Sequence, residues 1–117
     1  MRAGGEDAEN RAGAFLQRAG LKLVARNYRC RFGEIDLILR DGDTLVFVEV
    51  RMRSGDRYGG AAASITHAKR TRLLRTARHY LANLAQPPAC RFDALLMNGQ
   101  DHTIEWLKNA FEEQPGR

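Results

Sequence analysis

The chain has 117 residues, with 19 lysines and arginines against 14 aspartates and glutamates, for a formal net charge of +5. At 44% hydrophobic and 28% charged residues, with a mean hydropathy of -0.47, it is too apolar for a charged disordered tail and too polar to span a membrane. Its length suits a single domain over residues 1–117. The longest apolar stretch, Thr44 to Val50, is interrupted by Glu49, and the N-terminal residues lack the apolar region of a signal peptide. The expectation is therefore a cytoplasmic protein without a membrane partner. Cys30 and Cys90 stand far apart and outside any CxxC pair, which argues against a disulfide framework or a structural zinc site and predicts reduced, partly buried thiols.

Taken in chain order, Glu6 to Gly20 reads as a helix, because Ala8, Ala12, Phe15, Leu16 and Ala19 recur at three- and four-residue steps and Gly20 suits a C-terminal stop. Leu21 to Tyr28 is a first strand. Gly33 to Arg40 is a second, with Ile35, Leu37 and Leu39 alternating, and Leu45 to Met52 is a third; the turn signal Asp41-Gly42-Asp43 between them predicts an antiparallel hairpin. Ser54 to Ala63 is rich in glycine and alanine and reads as a surface loop. A long helix is expected over Ser64 to Ala85, with Leu73, Ala77, Tyr80, Leu81 and Leu84 on one face and Arg72, Arg75, Arg78 and His79 on the other, ended by Pro87-Pro88. Arg91 to Met97 and His102 to Leu107 are the last two strands, separated by Asn98-Gly99, with a polar tail over residues 109–117. The order α-β-β-β-α-β-β predicts an α/β sandwich, a central mixed sheet flanked by helices.

The charge is unevenly placed. Between Arg57 and Phe92 there are seven basic residues, Arg57, Lys69, Arg70, Arg72, Arg75, Arg78 and Arg91, and no acidic one, whereas the rest of the chain holds 12 basic residues against all 14 acidic ones. A basic block of this kind attracts polyanions, nucleic acid among them; a solvated helix face is the alternative reading.

The chemistry-bearing residues lie on the predicted hairpin. Acidic residues interrupt two otherwise apolar strands, Gly33-Glu34-Ile35-Asp36-Leu37-Ile38 and Phe47-Val48-Glu49-Val50-Arg51. A carboxylate on a central strand is normally paired or bound to metal, since isolated burial costs several kcal/mol. Strand alternation puts Glu34 and Asp36 on one face, and Glu49 and Arg51 likewise. If the hairpin brings those faces together, Asp36 and Glu49 chelate a hard divalent ion, Mg²⁺ or Mn²⁺, with Arg51 beside it. That arrangement suits phosphodiester hydrolysis. The alternative is an ion pair of Glu49 or Asp36 with Arg51 or Arg53 that merely holds the hairpin. Arg91 and Asp93 share a strand face and are expected to form an internal ion pair, and Glu34 is expected either near the metal as an outer group or paired with Arg29 or Arg31. His67, His79 and His102 show no mutual ligand spacing, which disfavours zinc.

An ordered set of motifs runs along the chain: Gly5-Glu6-Asp7-Ala8-Glu9, Arg26-Asn27-Tyr28-Arg29, Gly33-Glu34-Ile35-Asp36-Leu37-Ile38, Phe47-Val48-Glu49-Val50-Arg51, Lys69 and Arg91-Phe92-Asp93. In these the chain resembles the YraN-like bacterial proteins, a group predicted to be nucleases with a restriction-endonuclease-like, PD-(D/E)XK three-layer fold. The resemblance implies that Asp36 and Glu49 are the motif's two acids, that Glu9 completes the metal site, and that Lys69 supplies a further polar group there. The family's lysine after the second acid is replaced by Arg51, which keeps the charge and grips phosphate with two hydrogen bonds but cannot accept a proton. The resulting expectation is a metal-dependent endonuclease on DNA, including the branched or repair intermediates that Holliday-junction resolvase-like members of the fold imply. Arg53, Arg57, Arg70, Arg72 and Arg75 are expected along the phosphate backbone, and a homodimer is the expected assembly for addressing two strands. The rival reading is a nucleic-acid-binding module on the same fold that has lost hydrolysis.

Overall fold

Apolar strands with opposed inward faces need a helix on each side, and this chain supplies two. In the computed structural model, which describes residues 3–53, 66–99 and 101–111, the elements are α1 (Ala3–Arg18), β1 (Lys22–Cys30), β2 (Gly33–Asp41), β3 (Thr44–Arg53), α2 (His67–Leu81), β4 (Cys90–Asn98) and β5 (Ile104–Phe111). The strands form one sheet in the order β1-β2-β3-β4-β5. All neighbours are antiparallel except β3 and β4, which run parallel because α2 carries the chain back across the sheet. Val46 and Val48 pack with Ala8, Ala12 and Leu16 of α1, while Leu45 and Phe47 pack with Leu73 and Ala77 of α2. The expected three-layer α/β sandwich in the order α-β-β-β-α-β-β is thus present.

Local chemistry sets the helix ends. At the end of α1 the Gly20 N–H donates to the Gln17 carbonyl and the Leu21 N–H to the Leu16 carbonyl, with Gly20 at φ 106°, and Leu16 and Leu21 are buried in the same core. This is the glycine-terminated helix end with its apolar contact. Thr66 caps α2, its hydroxyl accepting from the Lys69 N–H. The helix is shorter than expected: after Leu81 the Asn83 and Leu84 N–H groups bond to carbonyls three residues back, and Asn83 Nδ2 donates to the His79 carbonyl. Ser64, Arg57 and the loop from Ser54 to Ala63 lie outside the described residues, as does the side chain of Arg53. Cys90 is exposed rather than partly buried, and Cys30 is half-buried; both are free thiols.

Two strands depart from simple alternation. On β2, Ile35 belongs to the α2-side core, but Leu37, two residues on, belongs to the α1-side core. The single alternating face expected for Ile35, Leu37 and Leu39 is therefore broken at Asp36. Between the flanking pairs Arg26↔Leu37 and Tyr28↔Ile35, Asn27 of β1 takes a left-handed φ of 53°, so both strands turn over at that point. On β5 the expected start at His102 moves to Ile104, because His102 (φ 63°) closes the turn in which its N–H donates to the Asn98 carbonyl. The strand also runs past Leu107. A register shift lies between Phe92 and Ala94, Asn109 is left-handed at φ 52°, and Phe111 then stacks on Phe92 at 5.0 Å.

Asp93 holds that irregularity. Its side chain is fully buried and accepts from Arg91 Nε at 3.1 Å, Trp106 Nε1 at 2.9 Å and the Asn109 N–H at 3.0 Å. Arg91 Nη1 also donates to Asp41 at 2.9 Å, so the expected Arg91–Asp93 pair exists within a larger network. Removing one member of a buried ion pair costs about 3–5 kcal/mol. Asp93→Ala is expected to lower the thermal midpoint by at least about 10 °C in a calorimetric or fluorescence melt; an unchanged midpoint would show that the network is dispensable.

Candidate active site

The hairpin of β2 and β3 stops pairing earlier than either strand ends. The last bonded pair is Leu37↔Val48, after which β3 continues beside β4 alone, as far as Arg53↔Asn98. The Val50 N–H, deprived of a strand partner, donates instead to Asp36 Oδ2 at 2.8 Å. The side chain at the strand's turnover point thus substitutes for a missing backbone acceptor.

Around Asp36 the three layers converge. Among the described residues, Glu9 from α1 and Glu34 and Asp36 from β2 offer carboxylate oxygens that all lie within 4.8 Å of one another. Glu9 is buried. Glu34 is also paired with Arg29, Nε to Oε2 at 3.2 Å, one of the two arginine partners expected for it. Glu49 approaches from the other side, where its Oε2 lies 3.3 Å from Arg51 Nη1 and 3.6 Å from Lys69 Nζ. A cleft of about 220 Å³ is lined by Gly33, Glu34, Asp36, Glu49, Lys69, Arg72 and Leu73.

The residues singled out from sequence distribute unevenly over this geometry. Glu34, Asp36, Glu49 and Lys69 line one cleft, with Arg51 bound to Glu49 beside it and Glu9 behind Asp36. Of the cations expected along a phosphate backbone, Arg72 lines the cleft and Arg75 is exposed on α2, but Arg70 is turned away, its guanidinium 5.7 Å from the centre of the Phe111 ring. Glu34 stands in the carboxylate cluster itself. The signal for it was its position two residues before Asp36. Glu49, in turn, faces two cations.

A profile of the uncharacterised protein family UPF0102 matches residues 8–97. The chain belongs to that family. It is the YraN family that the motifs indicated, and the matched stretch includes Glu9, Glu34, Asp36, Glu49, Lys69 and Asp93. A UPF0102 protein of Nitrosomonas europaea is 64% identical over 110 residues, covering 93% of each chain. One of Nitrosospira multiformis is 57% identical over 113 residues, covering 96% of this chain and 95% of its own. One of Cupriavidus taiwanensis is 58% identical over 111 residues, covering 94% of this chain and 83% of its own.

In this UPF0102 chain the electrostatics of the cleft fall chiefly on Asp36. Burial first, then the charges of Glu49, Glu9 and Glu34, push its carboxyl up to about 7, and the Val50 N–H only partly offsets them. Three hard oxygen donors whose charges repel one another fit a divalent cation of the Mg²⁺ or Mn²⁺ type, which would relieve the repulsion. Without it, Asp36 carries a proton in the folded state that the unfolded chain has already released above its ordinary value of 3.8. Stability without metal therefore falls as pH rises from about 4 through about 7. Asp36→Asn keeps an acceptor for the Val50 N–H and removes the charge. In chelator it is expected to melt several degrees above wild type at pH about 8 and to lose that advantage near pH 4. Parallel melting curves for the two proteins across that range would contradict the assignment.

Proposed function

We propose that this protein is a divalent-metal-dependent endonuclease that hydrolyses phosphodiester bonds in DNA, with branched or repair intermediates as its substrates. The observation that carries the reading is the convergence of Glu9, Glu34 and Asp36 within 4.8 Å, next to Lys69 and Arg72 in one cleft. A polyanionic substrate needs cations to hold it, and a hard metal needs carboxylates; the cleft offers both within the reach of one phosphate.

Glu9, Glu34 and Asp36 are the residues that would hold Mg²⁺ or Mn²⁺, which when bound activates water and offsets charge on the phosphate. Glu49 orients Arg51 and Lys69 through its two ion pairs, and an arriving phosphate competes with it for them, which frees its carboxylate to face Asp36. Arg51 acts through its charge and its paired donors, since it cannot take a proton. Arg72 meets the strand at the cleft wall, and Arg75 extends the contact along the backbone, a grip without sequence preference that weakens with salt. Two copies of the chain would address the two strands of a junction.

The second reading is a DNA-binding module that has lost hydrolysis, and it is favoured by the Glu49 carboxylate being engaged by Arg51 and Lys69. The two readings part when branched and linear DNA are incubated with the protein in Mn²⁺ or in chelator. The enzyme reading predicts metal-dependent cleavage that Asp36→Ala and Glu49→Ala each reduce by more than about 100-fold. DNA binding without cleavage by the wild type would sink it and leave the module. At the position where the family carries lysine, Arg51→Lys is expected to keep the rate within about tenfold and Arg51→Ala to cost about 100-fold; equal rates for Arg51→Ala and wild type would remove Arg51 from the site.

A further inference from the structure

The turn between β1 and β2 carries aromatic and basic side chains beside the acid site. Phe32 is half-buried at its tip. The Arg31 guanidinium stands 4.9 Å from the centre of the Phe32 ring, and the His79 ring meets Phe32 edge-on at 6.1 Å. Tyr28 fixes His79 from below, its hydroxyl 2.6 Å from Nδ1. Arg31 is exposed at the turn, as are Arg29 on β1 and Arg72, Arg75 and Arg78 on α2.

Local structure pins the turn against α2. The Phe32 N–H donates to Cys30 Sγ at 3.4 Å. Gly33, at φ 151°, lets the backbone come so close to the helix that a Cβ there would lie 3.1 Å from Thr76 Oγ1. Arg72 approaches the same point, its Cβ 3.8 Å from that position, and it also lines the cleft. Phe32 stands next to Gly33 of the cleft wall and two residues from Glu34 of the acid cluster. Two residues of extended chain span at most about 7 Å, or about twice the axial rise per nucleotide of a duplex strand. A base seated on Phe32 would therefore belong to a nucleotide within about two steps of a phosphate in the cleft.

We propose that Phe32, flanked by Arg31 and His79, is a stacking platform for an unpaired base, and that the substrate of the cleft is DNA with an unpaired nucleotide next to the scissile phosphate, as at a flap, gap or branch. The inference rests on the reading of DNA as the substrate. Every base has a face that an aromatic ring can hold, and cationic side chains around the ring hold the adjoining phosphates. In an intact duplex those faces are occupied by neighbouring bases, so a platform of this kind distinguishes strands by pairing state rather than by sequence. The contrasting role is structural, with the ring and its neighbours only fastening the hairpin to α2.

The test measures equilibrium binding in chelator, so that cleavage plays no part, by fluorescence anisotropy with labelled oligothymidine, a flapped duplex and a blunt duplex. Wild type is expected to bind the first two more tightly than the blunt duplex. Phe32→Ala is expected to lose about tenfold on oligothymidine and the flap while changing less than about twofold on the blunt duplex. Phe32→Tyr, which keeps the ring, should bind like wild type; Phe32→Leu, which keeps apolar bulk without a ring, should behave like Phe32→Ala, and the melting midpoints of all variants report whether the turn has stayed folded. Equal losses on all three ligands, no loss on any, restoration by Leu, or the absence of oligothymidine binding by wild type would each overturn the proposal. Cleavage is read separately: a protein that shows this binding pattern yet never cuts in Mn²⁺ refutes the nuclease reading alone, whereas one that cuts blunt duplex with no dependence on Phe32 refutes the platform alone.

Discussion

A single hydrogen bond, from the Val50 N–H to the Asp36 carboxylate, organises the end of the sheet. Once β3 leaves β2 to continue beside β4, its backbone still needs acceptors, and an unsatisfied N–H in a partly buried position is costly. Asp36 supplies one because β2 turns over at that residue and directs the side chain across the gap. The same bond draws a carboxylate into the sheet, within the field of three others. The acid cluster is thus tied to how the strands separate, and a cation there would repair an electrostatic cost that the fold itself creates.

The two helices bring opposite charges to that point from opposite faces. α1 contributes Glu9 through the layer that buries Ala8, Ala12 and Leu16; α2 contributes Lys69 and Arg72 through the layer that buries Leu73 and Ala77. Glu49 lies between them, paired with Lys69 and with Arg51 of its own strand. Of the basic residues that the sequence groups between Arg57 and Phe92, Lys69 and Arg72 thus line a cleft that Glu34, Asp36 and Glu49 also line. A metal ion and a phosphate make complementary demands on such a site, and each would release partners that the other needs.

Much of this was legible in the sequence, and the exceptions have physical causes. The α/β layering followed from the spacing of apolar residues, and the hairpin from Asp41-Gly42-Asp43. The candidate acids stood out because charges are expensive on apolar strands. The alternation on β2 was misread because left-handed Asn27 sits on the neighbouring strand, and a period-two pattern cannot register a turnover imposed from across the ladder. β5 was cut short because Asn109 and the register shift at Asp93 interrupt its pattern before Phe111 restores it. The pairing of Glu49 with Arg51 and Lys69 depends on how α2 lies over the sheet, which no local spacing encodes, and so does the contact of Phe32 with His79. The nearness of Glu34 to Glu9 likewise exists only once α1 has docked.

The proposed role of Glu9, Glu34 and Asp36 in holding one hard divalent cation is open to anomalous diffraction from crystals of the protein soaked in Mn²⁺. The expected result is a manganese peak bounded by oxygens of all three carboxylates. Diffraction at saturating Mn²⁺ with no peak there, and with Glu49 still paired to Arg51 and Lys69, would contradict it.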